Sequence, residues 1–157
     1  MRHTIQALVE NRFGVLARIA SLFSARGYNI DSLAVGETQD PTISCMTIVV
    51  DAEDERVLEQ IKKQLHKLID VITVVDLTKK SYIDRELVLV KINKKEEAEN
   101  ILSSLTSEYP VKILEEKDDY FILEICTEHS ILEEILKELR KFGIKELVRT
   151  GKIAISK

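Results

Sequence analysis

The apolar positions in the first part of the chain follow two alternating periods. From His3 to Val9 every second side chain is apolar, which predicts a half-buried strand. After Gly14 the apolar residues recur at helical spacing up to Gly27, which is placed to cap the C-terminus of an amphipathic helix. Ile30 to Val35 and Ile43 to Val50 then read as a hairpin. A second amphipathic helix and a β-branched strand complete the order strand, helix, strand, strand, helix, strand.

The remaining residues repeat this order. Ser130 and Glu133 form a capping box that should open the last helix, and Gly143 should stop it. The predicted strands and helices of this half are Leu87 to Ile92, Ala98 to Leu105, Val111 to Leu114, Tyr120 to Cys126, Ile131 to Phe142 and the strand material of Ile144 to Ser156.

Two consecutive βαββαβ units account for every segment without a long loop. We therefore predict an α+β chain of two tandem ferredoxin-like domains, residues 1–78 and 85–157, joined by a linker at residues 79–84. Each domain should have a four-stranded antiparallel sheet with both helices on one face. A single sheet layered on helices leaves its other face or its edges uncovered, so we expect a homodimer.

Composition narrows the function classes. The net charge is -4, and neither half is basic, which argues against a nucleic-acid binder. No apolar run approaches the roughly 20 residues that span a bilayer, and we expect a cytoplasmic protein.

Cys45 and Cys126 lie in alternating apolar stretches, which favours buried free thiols. The spacing of Cys126 and His129 supplies only two ligands, too few for a metal site. No serine or cysteine stands beside a base, so catalysis is not indicated.

The segment Asn11-Arg12-Phe13-Gly14 joins the first strand to the first helix. Helix N-termini offer unpaired N–H groups to an anion, Gly14 would let a ligand approach, and Asn11 could accept from an ammonium group. A free amino acid has both of these groups. Arg12 and Arg18 could mark an anion site as well. The structural alternative is that Asn11 is a cap or turn residue and that the two arginines are solvated surface charges. Asn29 is likewise open to two interpretations: it could contact a ligand, or it could only be part of a helix-to-strand turn.

The run NRFGVLARIASLFSARGYNIDSLAVGE, followed by SCMTIVV and LEQIKKQLHKLIDV, resembles the small regulatory subunit family of acetolactate synthase, also called acetohydroxyacid synthase. RELVLVKI and RTGKIAIS in the second half look like the same family. The resemblance implies that residues 1–78 form an ACT domain that binds a branched-chain amino acid, typically valine. It also implies no cofactor in this chain, and a separate catalytic large subunit that carries thiamine diphosphate, Mg and FAD and is feedback-inhibited.

The resemblance also assigns residues to the effector site. The family's binding loop maps onto Asn11, Gly14, Val15 and Leu16, and the asparagine that a neighbouring subunit contributes maps onto Asn29, with Ile30 beside it. Two departures accompany the match: Cys45 stands where the family has an arginine, and the sequence SEYPVKI replaces the FRG motif of the second domain.

Two other functions remain open at the level of sequence. An ACT-type amino-acid sensor could serve another enzyme or a transcription regulator. A small ferredoxin-like enzyme of the acylphosphatase kind would instead use Arg12 and Asn29 to grip an anion, although the glycine-rich phosphate loop is absent.

Overall fold

The computed structural model describes residues 2–52 and 55–157, along which nine strands and four helices form. In chain order these are β1 (Arg2–Glu10), α1 (Val15–Ser24), β2 (Ile30–Glu37), β3 (Ile43–Asp51), α2 (Glu55–Leu65), β4 (Val71–Asp76), β5 (Tyr82–Asn93), α3 (Ala98–Glu108), β6 (Val111–Glu116), β7 (Tyr120–Thr127), α4 (His129–Leu139), β8 (Ile144–Arg149) and β9 (Ile153–Ser156). The predicted α+β fold with a repeated βαββαβ order is confirmed.

The chain divides into two compact units. The first runs to Ile83 and also contains Lys152–Lys157, while the second is Asp84–Gly151. Their antiparallel sheets have equivalent strand orders, β2-β3-β1-β4 and β6-β7-β5-β8, and β9 is an additional strand that pairs with β5. The sequence-based division differs at two places. Strand β5 begins at Tyr82, inside the expected linker, and the last residues of the expected second domain belong to the first unit.

Each unit has its own core between the sheet and its two helices. Alternate residues of the strands meet one apolar stripe from each helix, which is why the two periods in the sequence identified the elements. Gly27, with φ 69°, ends α1 as predicted: Tyr28 N donates to Phe23 O and Gly27 N to Ser24 O, both at 3.0 Å. The first core consists of Ile5, Ala7, Val9, Val15, Ile19, Leu22, Phe23, Met46, Ile48, Val50, Leu58, Ile61 and Leu65.

The two units share their hydrogen-bond pattern where the first strand of each sheet ends. Glu10 N donates to Asp70 O at 2.9 Å in the first unit, and Asn93 N donates to Gly143 O at 3.1 Å in the second. The first strand also breaks register with the last strand of its sheet just before this point in both units. Glu10 therefore corresponds to Asn93, and Asp70 to Gly143.

Residues of the C-terminal segment lie on the outer face of the first sheet, the face away from the helices. Gln6 Nε2 donates to Ala154 O at 2.8 Å. On the same face Thr4, Thr47 and Val49 are buried, at 4%, 3% and 5% exposure. The expectation of an uncovered outer face therefore does not hold in the centre of the first unit.

The outer face of the second sheet is more exposed. Leu89 and Val148 are paired across neighbouring strands and are 39% and 57% exposed. Cys126 is exposed as well, so the prediction of a buried thiol is wrong there, because the alternation that buries Ile125 turns Cys126 outward. Cys45 is half-buried, and its burial raises the pKa of the thiol. Both cysteines are free.

The predicted capping box of the last helix is also wrong. Helix α4 begins at His129, with Glu128 at the N-cap and no side-chain cap hydrogen bond. Ser130 Oγ donates to Glu128 Oε1 at 3.2 Å, and Glu133 forms an ion pair with Arg149 at 2.7 Å. Arg149 on β8 therefore pairs with the Glu133 carboxylate, which a capping box would require at the start of the helix. A short 3₁₀ turn extends the helix to Gly143, whose φ of 84° ends it as predicted.

Candidate functional site

The loop between β1 and α1 is held open at the start of the helix. Asn11 N donates to Thr42 O at 2.7 Å, which ties the loop to the turn between β2 and β3. Gly14 is the N-cap residue of α1, with φ 80°, and no side chain caps the helix there. A residue with a Cβ adopts this left-handed conformation only at a cost, so glycine suits the position. The first N–H groups of α1 are consequently not covered by a capping side chain.

The side chain of Asn11 uses its donor within its own unit. Nδ2 donates to Pro41 O at 2.9 Å and lies 3.2 Å from Glu37 Oε1. Both partners are acceptors, which fixes the amide nitrogen on that side and leaves Oδ1 as an acceptor. Glu37 adds a carboxylate beside it. Asn11 Oδ1 and the Glu37 carboxylate are thus two acceptors near the start of α1 that suit an ammonium group, and the sequence did not indicate Glu37.

The turn between β2 and β3 holds the acceptors of Asn11 in place. Asp40 Oδ1 accepts from Thr42 N at 2.9 Å and from Thr42 Oγ1 at 2.7 Å, which closes the turn. These hydrogen bonds from Thr42 hold the pKa of the Asp40 carboxyl below its usual range. The ionised form of Asp40 is therefore the one that orders the turn.

Val15 and Leu16 follow Gly14 but have different environments. The side chain of Val15 is 2% exposed and packs in the first core, whereas Leu16 is 45% exposed. Of the two loop residues that the resemblance assigns to the site, only Leu16 therefore presents its side chain at the surface. The helical period explains this, because Val15 lies on the stripe that faces the sheet.

Asn29 and Ile30 lie at the other end of the same sheet. Ile30 pairs with Val50, which in turn pairs with His3 at the start of β1, whereas Asn11 follows the end of β1. The seven residue steps from His3 to Glu10 along this strand span about 23 Å. Asn29 is exposed, and its Nδ2 donates to Asp31 Oδ1 at 2.7 Å. Within one chain, then, a small ligand cannot contact both asparagines.

Arg12 and Arg18 both lie near the loop and have different partners. Arg12 Nε lies 3.1 Å from Glu10 Oε2 in an exposed pair. Arg18 Nε lies 2.8 Å from Oδ2 of Asp70, which is buried. The acylphosphatase-like alternative requires Arg12 and Asn29 to converge, and they lie at opposite ends of the sheet. Arg18, by contrast, is brought to the loop, because it lies one helical turn along α1 from the N-cap residue Gly14.

The corresponding loop of the second unit has different residues at the start of its helix. Its N-cap residue is Glu97, with φ −81°, and Glu99 lies in the first turn of α3. Lys94 forms ion pairs with Glu99 and Glu116. Carboxylates therefore surround the helix start that corresponds to Gly14, and an anion placed there would meet like charges.

The chain matches two family models over nearly its whole length. Residues 5–73 match the AHAS small subunit-like ACT domain, and residues 85–157 match the small subunit of acetolactate synthase. The chain belongs to the acetolactate synthase small-subunit family. The resemblance seen in the sequence is thus confirmed, including the ACT assignment of the first half and the membership of the divergent second half.

Relatives of this family from distant organisms cover the whole chain. A probable acetolactate synthase small subunit of Archaeoglobus fulgidus is 44% identical over 99% of this chain and 96% of its own length. An acetolactate synthase small subunit of Mycobacterium leprae is 41% identical over 99% of the chain and 91% of its own length. The crystal structure of the acetolactate synthase small subunit of Thermotoga maritima matches with a TM-score of 0.86 at 31% identity, covering 100% of this chain and 98% of that one.

Among the described residues, no helix is both long and apolar enough to cross a membrane.

Proposed function

We propose that this chain is the non-catalytic regulatory subunit of acetolactate synthase in branched-chain amino acid biosynthesis. The first unit binds a branched-chain amino acid, valine, and relays its level to a separate catalytic large subunit as feedback inhibition. The cofactors that the resemblance implies, thiamine diphosphate, Mg and FAD, belong to that partner. Family membership and the relatives' names support the role, and the open loop at Gly14 supports the site.

The effector's three chemical groups fit the surroundings of the loop. The N-terminus of α1, where Leu16 presents its backbone N–H group and Val15 N donates to Arg12 O at 3.4 Å, favours a carboxylate. Asn11 Oδ1 and the nearby Glu37 carboxylate favour an ammonium group. Leu16, which is 45% exposed, offers apolar surface for the side chain of valine.

The positions of Asn29 and Ile30 support the proposal that two copies of the chain share each effector site. They lie at least about 23 Å along the sheet from Asn11. If both asparagines contact one effector, as the family resemblance implies, they come from different copies of the chain. The homodimer is then a requirement for binding, and each two-fold related pair of chains forms two identical sites. A coupling of about 1–3 kcal/mol between effector and partner suffices for feedback.

Mixing two inactive variants tests the shared site. Gly14→Asp and Asn29→Ala should each bind valine weakly as homodimers in calorimetry. A mixed dimer of the two has one site with both defects and one with neither. When equal amounts exchange subunits, about half of the dimers are mixed and each has one intact site. Binding should therefore return to about a quarter of all sites. Failure of the mixture to regain binding, when each parent is shown to exchange subunits, would place Asn29 and Gly14 in unrelated roles.

The regulatory role is tested by reconstitution with the catalytic subunit. Acetolactate formation is measured while valine, leucine and isoleucine are titrated separately. We expect the small subunit to raise the basal rate and to make it sensitive to valine, and Gly14→Asp to keep the first effect and lose the second. Valine binding without any effect on acetolactate formation would favour an ACT-type sensor for another partner.

A further inference from the structure

A buried carboxylate holds Arg18 at the same loop. Asp70 is 7% exposed, and its Oδ2 lies 2.8 Å from Arg18 Nε. The terminal nitrogen Nη1 of Arg18 lies 3.0 Å from the position that a Cβ atom on Gly14 would occupy. Arg18 N also donates to Gly14 O at 2.9 Å. The guanidinium group is therefore fixed beside the residue that heads α1.

The arrangement leaves part of the guanidinium group available. A carboxyl group as buried as Asp70 needs a hydrogen-bond partner, and Arg18 Nε supplies it. The side chain of Arg18 remains 48% exposed, and in the described part of the chain its two terminal nitrogens have no hydrogen-bond partner. A planar guanidinium whose orientation is already fixed loses little freedom when it donates to a second carboxylate.

The repeated fold provides an internal comparison for this feature. Counting from the equivalent strand ends Glu10 and Asn93, the glycine, the arginine and the aspartate of the first unit are all replaced in the second. The corresponding residues there are Glu97, Ile101 and Gly143. Neither the fold nor the strand-end hydrogen bond therefore requires the ion pair, since the second unit makes both without it. The ion pair accompanies the open loop.

We propose that Arg18 is a specificity-determining residue of the effector site and that it makes the site select a free carboxylate. Asp70 is the positioning residue that fixes the guanidinium next to Gly14. This inference rests on the proposed function, since it concerns the same effector. It goes further in assigning a side chain, and not only backbone N–H groups, to recognition of the carboxylate.

Comparison of valine with valinamide tests the assignment in the full-length protein. Valinamide keeps the ammonium group and the side chain of valine but replaces its carboxylate with a neutral amide. The preference is the ratio of the two dissociation constants measured by calorimetry. We expect Arg18→Met to lower this preference about 10-fold, because hydrogen bonds to charged groups contribute about that factor. Arg12→Met, which removes the exposed arginine of the same loop, should leave the preference unchanged.

The ratio separates recognition from a structural role. If Arg18 only supports the fold, both ligands weaken together in Arg18→Met and the preference stays as in the unmodified protein, which overturns the inference. Asp70→Asn keeps Arg18 but releases it, and we expect a smaller fall, about 3-fold. Should Arg18→Met fail to fold, an unchanged preference in Asp70→Asn overturns the inference instead. Absence of valine binding to the unmodified dimer would overturn the proposed function and this inference together.

Discussion

The two units of this chain have the same fold and different loops. Both sheets have the same strand order and the same hydrogen bond at the end of their first strand. In the first unit that strand leads into a left-handed glycine, Gly14, with no acidic residue in the first turn of α1. In the second it leads into Glu97 and then Glu99. The packing that makes the fold therefore does not determine the site, which depends on a few loop residues.

A second difference concerns the buried polar residue near the start of each first strand. His3 in β1 and Glu86 in β5 are equivalent, and they are 3% and 4% exposed. Glu86 lies 3.1 Å from His129 Nδ1 and 3.6 Å from Arg149 Nη1. Nδ1 of His3 has no hydrogen-bond partner in the part of the chain that the structure describes. The buried polar side chain at this position is thus paired in the second unit and incompletely paired in the first.

The largest expected effect comes from making the two loops alike. Gly14→Asp introduces a carboxylate where the effector's own carboxylate is proposed to lie, and like charges about 4 Å apart repel by about 4 kcal/mol. We expect valine affinity to fall at least about 100-fold in calorimetry, while sedimentation still shows the dimer. Gly14→Ala tests backbone strain at φ 80° separately and should weaken binding less.

The second unit supplies the matched control for this change. Glu97→Asp places the same residue at the equivalent helix start, where no effector is proposed. It should leave valine binding and inhibition as they are. A comparable loss from Glu97→Asp would show that the two loops do not differ in function.

A smaller effect is expected from uncovering the outer face of the first sheet. Deleting Lys152–Lys157 removes the hydrogen bonds from Gln6 to Ala154, from Lys152 N to Ser32 Oγ and from Lys157 N to Ser81 O. At about 1 kcal/mol each, we expect a loss of about 2–3 kcal/mol in the first unit. Hydrogen exchange should accelerate in β1 and β3 and stay slow in β6 and β7, which do not pair with β9.

The control for the deletion keeps the backbone of β9. Ile155 is 64% exposed, and Ile155→Ser should cost less than about 0.5 kcal/mol. Equal acceleration of exchange in both sheets after the deletion would show that the C-terminal segment does not specifically support the first unit.

The sequence predicted what depends on local period and missed what depends on partners distant along the chain. Helices and strands followed from apolar spacing, and Gly27 and Gly143 were recognised because their effect is local. Strand β9 was not assigned to the first unit, since its partners, such as Gln6, are far away in sequence. For the same reason the ion pair of Arg18 with Asp70 could not be foreseen, although the glycine of the loop was.

The smallest expected effect concerns the two buried polar residues, and it should have opposite signs in the two units. Glu86→Gln removes the charge that pairs with His129 and Arg149, which are 28% and 30% exposed. These cations can turn to water, so the cost should be about 1–2 kcal/mol, less than for a fully buried pair. His3→Leu removes a buried nitrogen that has no partner among the described residues and should stabilise the first unit by up to about 1 kcal/mol. Urea unfolding of both variants measures the two changes, and a destabilised His3→Leu would mean that the imidazole contributes packing that leucine cannot replace.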